Sequence, residues 1–137
     1  MDLVQARMIR RLLMGAVALT AETFAPTITK DGIVLVDWWA KWCGPCRMFA
    51  PVFENASETH PDIVFGKVDT EAEQALAQAA GIMSIPTLMA FRDGVLVFSQ
   101  PGALPAHVLE DLIEQVRALD MDVVRAELDL ATSGARP

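Results

Sequence analysis

Cys43 and Cys46 are the only two cysteines of the chain, and Gly44 and Pro45 separate them. Thiols at this spacing have few uses. A bridge across so small a loop removes little unfolded-state entropy, so a stabilising staple is a weak reading. A zinc site needs four ligands, and neither His60 nor His107 has ligand-like spacing to the pair. Two inert core cysteines are the bland alternative. Thiol–disulfide exchange remains, and there the thiolate is the nucleophile. The pattern predicts a helix over 43–59, which puts Cys43 at its start. There the free N–H groups and the macrodipole favour a thiolate. Cys46 follows three residues later on the same helix face, so its sulfur can reach Cys43 and close an internal disulfide. An apolar setting keeps Cys46 protonated until it is needed.

Three further positions carry chemical information. Asp37 interrupts the apolar run of Ile33-Val34-Leu35-Val36 and Trp38-Trp39. A buried carboxylate there has a raised pKa and is a candidate proton carrier; a carboxylate facing solvent at the strand's end is the alternative. Lys67, late in the next predicted strand, is its natural charge partner, or else a solvated lysine. Pro86 follows Ile85 at the start of a strand over 88–91, a place where proline is tolerated. Sequence alone leaves its isomer open.

The elements that must position these residues follow from the apolar pattern. The run from Ile33 lacks alternation and reads as a strand covered on both faces. A strand is expected near 17–19, a short helix capped by Thr20 to about 29, and a strand over 63–68. A helix over 71–80 ends at Gly81. Strands over 88–91 and 95–98 flank Asp93-Gly94, a hairpin signal. An amphipathic helix starts at Pro105 with Val108, Leu109, Leu112, Ile113, Val116 and Leu119 on one side. Pro51 should kink the helix over 43–59. A further helical piece is expected over 121–130, and 133–137 reads as disordered. The order β-α-β-α-β-α-β-β-α implies an α/β fold, a central mixed five-stranded sheet with helices on both faces.

Composition bounds the function. The chain has 137 residues, 53% of them hydrophobic, and a net charge of −7. Phosphate backbones and anionic lipid repel such a chain, which argues against nucleic-acid partners. Arg7, Arg10 and Arg11 precede the apolar run 12–19, which imitates a signal peptide. A cut after Ala18 leaves an apolar core about half the usual length, and the run is too short to span a bilayer. The reading is a loose basic extension over 1–15, a main domain over 16–120 and a helical or disordered tail over 121–137. No membrane partner and a cytoplasmic, monomeric protein are expected; an N-terminal signal or anchor is the alternative.

Val36-Asp37-Trp38-Trp39-Ala40, then Trp42-Cys43-Gly44-Pro45-Cys46 and Ala50-Pro51, resembles the active-site stretch of the thioredoxin family. Lys67-Val68-Asp69, Ile85-Pro86-Thr87, Asp93-Gly94 and Gly102 follow in the family's order, so the resemblance covers about 17–119. It implies the thioredoxin fold and a protein-disulfide reductase. Cys43 would attack and Cys46 resolve, as a redox-active disulfide pair. Asp37 would help deprotonate Cys46, modulated by Lys67. Pro86 would be a cis-proline facing the disulfide, and the backbone of Ile85 would pair with an extended substrate segment. Trp42, Gly44, Pro45, Ile85 and Gly102 would line the docking surface, with Trp39 packed beneath. Partners would be disulfide-containing client proteins and a thioredoxin reductase supplied by NADPH. No bound cofactor is expected, since no glycine fingerprint or phosphate loop is present, and no metal.

Two departures stand out. Trp38 occupies a place where many members carry Phe or Tyr, which keeps an aromatic. Met83 stands where members often carry a basic or small residue, which bears on partner preference. A thiol oxidant or isomerase on the same fold is the nearest rival; Gly44-Pro45 resembles the reducing members, and a histidine in place of Pro45 would favour an oxidant. A non-catalytic binding module is the rival from another class.

Overall fold

The apolar run that carries Asp37 forms the middle of the sheet. The computed structural model describes residues 2–6, 8 and 15–134. In it the run is strand β2 (Ile33–Trp39), buried along its whole length except at Trp39. Its neighbours are β3 (Val64–Asp69), parallel, and β4 (Thr87–Arg92), antiparallel. The short β1 (Val17–Ala18) runs parallel to β3, and β5 (Val95–Pro101) runs antiparallel to β4. The sheet order is β1-β3-β2-β4-β5. Asp93 and Gly94 turn β4 into β5 with φ of 51° and 80°. Positive φ at both central residues is what a tight hairpin of this kind requires.

Side chains alternate along a strand, and β2 shows the two faces. Ile33 and Leu35 pack with Phe49 and Phe53 of α2 (Gly44–Thr59) and with Leu109 and Ile113 of α4 (Ala106–Ala118). Val34, Val36 and Trp38 pack on the other face with Phe24 of α1 (Phe24–Ile28) and Ala77 of α3 (Gln74–Ala79). By the same alternation, Asp37 and Trp39 continue the row of Ile33 and Leu35, the row covered by α2 and α4. The sequence period therefore aims Asp37 at the face that bears the cysteine helix.

Several expected boundaries move. Thr20 does not cap α1 directly. Its N–H donates to Thr23 Oγ1 at 2.9 Å, and the two threonines close a turn ahead of the helix. Helix α3 begins at Gln74 and not near 71, because Asp69 Oδ1 accepts the N–H groups of Glu71 and Ala72 and holds a turn there. Pro51 sits within α2, which runs through it from Gly44 to Thr59. Val108 and Leu119 are only half-buried, while Leu109, Leu112, Ile113 and Val116 are core. The final helix, α5 (Met121–Gly134), is longer than expected and takes in Ser133 and Gly134, which were read as disordered. Met121 anchors its start in the core.

Within the N-terminal extension residues 3–6 and 8 are helical, with the Gln5 N–H donating to Asp2 Oδ1 at 2.7 Å. Arg7, Arg10, Arg11 and the first three residues of the signal-like run, 12–14, lie outside the described residues, as do 135–137 of the tail. Among the described residues no helix is long and apolar enough to cross a membrane.

Candidate active site

Cys43 is the N-cap of α2, and Gly44-Pro45 opens the helix. The first N–H groups of a helix have no intrahelical partner, and proline, which lacks one, fits there. The Cys46 N–H donates to Cys43 Sγ at 3.1 Å, so the sulfur occupies the place a capping oxygen usually takes. A thiolate accepts that bond more strongly than a thiol, and it lies at the positive end of the helix. Cys43 and Cys46 form a disulfide, with Cα atoms 5.2 Å apart. Both are buried, in a small cluster with Ala40 against which Trp39 and Ile85 pack.

The two sulfurs are not equivalent. Cys43 lines an open groove of about 450 Å³, and Cys46 does not. Cys43 Sγ lies 3.7 Å from the carbonyl oxygen of Ile85. The Ile85–Pro86 bond is cis. Pro86 is buried, and its carbonyl accepts the N–H of Gly102 at 2.8 Å. Gly102 has φ of +111°, a conformation that favours glycine.

Trp42, Gly44, Pro45 and Ile85 line the groove together with Thr70 and Met83. Gly102 is not among the lining residues; it is tied to the site through its hydrogen bond to Pro86. Trp42 is 65% exposed, and its indole N–H donates to the Glu71 carboxylate. Glu71 and Thr70 escaped the sequence reading. Thr70 ties the turn after β3 to β2 through its N–H and hydroxyl, both donating to the Trp39 carbonyl. Only tertiary pairing brings that turn to Trp42, so no local spacing announces either residue.

Asp37 lies inside β2, fifth of its seven residues, and not at the strand's end. It is fully buried, which removes the solvent-facing alternative. Neither carboxylate oxygen accepts a hydrogen bond from the protein. Loss of hydration pushes its pKa up to about 7, and the charge of Lys67 pulls the other way. Lys67 stands beside Asp37 in the β2–β3 register. Its ammonium lies 4.9 Å from the centroid of the Trp39 ring, a cation–π distance.

Among the described residues no group of three or more His, Cys, Asp or Glu is placed to hold a metal. His60 caps the far end of α2 and is engaged by Glu110 and Arg117. What the site offers is a disulfide with one approachable sulfur, a buried carboxyl poised near neutral pH, and an apolar groove beside them.

The thioredoxin family model matches residues 15–115. A relative named thioredoxin 2, from Streptomyces coelicolor, is 59% identical over 113 residues, covering 82% of this chain and 84% of the relative. Thioredoxin of Bacillus subtilis is 39% identical over 103 residues, covering 74% of this chain and 98% of its own. Among solved structures, a variant thioredoxin from Halobacterium salinarum superposes with a TM-score of 0.71 at 34% identity. That match covers 77% of this chain and 94% of the other.

Proposed function

The chain belongs to the thioredoxin family and is a thiol–disulfide oxidoreductase, and from that premise we propose the following division of labour. The place of Cys43 on the wall of the groove, which the equally buried Cys46 does not share, carries the assignment. In the reduced protein the Cys43 thiolate attacks one sulfur of a client disulfide. The client S–S bond breaks, its other sulfur leaves as a thiolate, and a mixed disulfide forms. Cys46 gives its proton to the Asp37 carboxylate and attacks Cys43. The second client sulfur leaves, and Cys43–Cys46 closes. Two electrons have passed to the client.

A pKa of about 7 suits Asp37 to this traffic, since a base near ambient pH can both take and return a proton. Lys67 moderates that pKa. Trp42, Gly44, Pro45, Ile85 and Pro86 receive the client segment, with Ile85 supplying backbone pairing; Gly102 acts through its bond to the Pro86 carbonyl. Residues 16–120 form the working unit, with 1–15 and 121–137 as additions to it. The chain works as a cytoplasmic monomer on disulfide-containing proteins and holds no cofactor. A thioredoxin reductase drawing on NADPH returns it to the dithiol. The Gly44-Pro45 pair supports the reducing direction over an oxidising one.

A redox titration of the cysteine pair, read by tryptophan fluorescence, tests this first. The expected midpoint lies near −270 mV, the approximate thioredoxin value, and a midpoint about 100 mV or more higher would overturn the reductase assignment in favour of an oxidant. Insulin reduction with NADPH and a thioredoxin reductase tests the recycling step. Turnover without NADPH consumption would overturn that part.

A further inference from the structure

Met83 is 97% exposed, the highest value among the large apolar side chains of the described residues. Isolated exposed apolar residues are ordinary, but this one lines the disulfide groove, whose wall also includes Ile82, Ile85, Trp42 and Pro45. It adds nothing to either core layer, so the fold does not require a methionine there. Resting on the exchange reading above, the geometry points to Met83 as a specificity-determining residue. It selects client segments that carry an apolar side chain about two residues from the attacked cysteine.

The position follows from the backbone. Cys43 Sγ lies 3.7 Å from the Ile85 carbonyl, so an attacked client sulfur must come close to Ile85. Met83 is two residues away, up to about 7 Å along an extended chain. The client residue that covers it is therefore a neighbour of the cysteine and not the cysteine itself. Side-chain chemistry sets the preference. A thioether on an unbranched stem adapts to apolar partners of different shapes. It offers a polar client residue no strong hydrogen bond in exchange for lost hydration. Covering such a side chain with apolar surface is worth about a tenfold gain in association.

Two synthetic peptides with the same intramolecular disulfide provide the test, their cysteines flanked two residues away by Leu in one and by Gln in the other. Rates of reduction by the dithiol protein are followed by tryptophan fluorescence, with a small aromatic disulfide as a third substrate. Wild type should reduce the Leu peptide about tenfold faster than the Gln peptide. Met83→Gln should bring the two rates together by slowing the Leu peptide alone, and Met83→Leu should restore the difference. The redox midpoint and Tm should not move in either variant. Equal rates for the two peptides with wild type, or a difference that survives Met83→Gln, overturns the proposal. A wild-type protein that fails on the small disulfide as well overturns the exchange reading beneath it.

Discussion

The two ends of helix α2 are built on opposite terms. At the start, about 24 Å from the finish, polar groups are buried without partners and apolar groups stand in solvent. Asp37 has both oxygens unpaired, and the indole nitrogen of Trp39 has no partner either, while Trp42 and Met83 are exposed. At the finish Arg117, Asp62, His60, Glu110 and Arg92 are matched. Arg117 grips Asp62 with two bonds, at 2.6 and 3.1 Å, and donates to His60 Nδ1 at 3.1 Å. An arginine can only donate, so His60 accepts there and offers its Nε2 proton to Glu110 at 2.7 Å. Arg92 brings its Nη1 to the carbonyls of Val116, Arg117 and Leu119, closing the end of α4. Satisfied polar networks hold one arrangement. The unsatisfied end keeps a proton and a pair of electrons ready to move, and departures from local consistency gather at functional sites.

The sharpest way to break this contrast is Cys43→Ser. Insulin reduction should fall to the uncatalysed rate with no loss of Tm. Cys46→Ser should instead accumulate a client mixed disulfide on Cys43, visible as added mass. Survival of turnover in either variant would remove the chemistry from this end of the helix.

Asp37→Asn comes next and should act on rate and stability in opposite senses. Its folded pKa is about 7 against an ordinary 3.8, so the folded state binds the extra proton. Stability from this group is full below pH 3.8, falls as pH rises towards 7, and stays low above it. The difference is about 4 kcal/mol. Denaturant melts of the variant at pH 8 should show a gain approaching that amount, and almost none at pH 4. Reduction at pH 7 should slow by tenfold to about a hundredfold, with the inflection near pH 7 gone from the profile. A variant that is less stable at pH 8 would contradict the unpaired, buried state of the carboxylate.

The satisfied end should respond in stability alone. Arg92→Met leaves the last carbonyls of α4 without their donor and should cost about 2 kcal/mol, the scale of a charge-assisted bond, with no change in reduction rate. Arg117→Gln should cost less than about 1 kcal/mol, because its pair with Asp62 is exposed and screened by solvent. The hydrogen bond from Arg117 holds the Asp62 carboxyl below its ordinary value. That small contribution is present at neutral pH and is lost as pH falls through the carboxylate range, the reverse of the Asp37 dependence. A rate effect from either arginine would mean that the two ends of α2 are coupled.

Cys43-Gly44-Pro45-Cys46 was legible from residue type and spacing, because the spacing of one helical turn and the chemistry of a helix start are local properties. The element order and the two-faced burial of β2 were legible for a similar reason. A seven-residue run without alternation has nowhere to lie but in the middle of a sheet. Only the folded chain showed that the row holding Asp37 is the one covered by the cysteine helix. What required the folded chain was whatever depends on partners distant in sequence. The state of Asp37 was open until burial removed its water and left no donor in its place. The pairing of Trp42 with Glu71, the placement of Gly102 behind Pro86, and the cis state of Ile85–Pro86 arise from segments joined only by folding. So does the contact between Cys43 and the Ile85 carbonyl. The start of α5 at Met121 matched the expectation, but the Asp69 turn that delays α3 was misjudged, because a helix boundary is decided by which competing partner a backbone N–H finds. Sequence determined which groups were available and their order along the chain. Tertiary structure decided which were deprived of water and which were given a partner, and that difference separates a reactive carboxyl from a structural one.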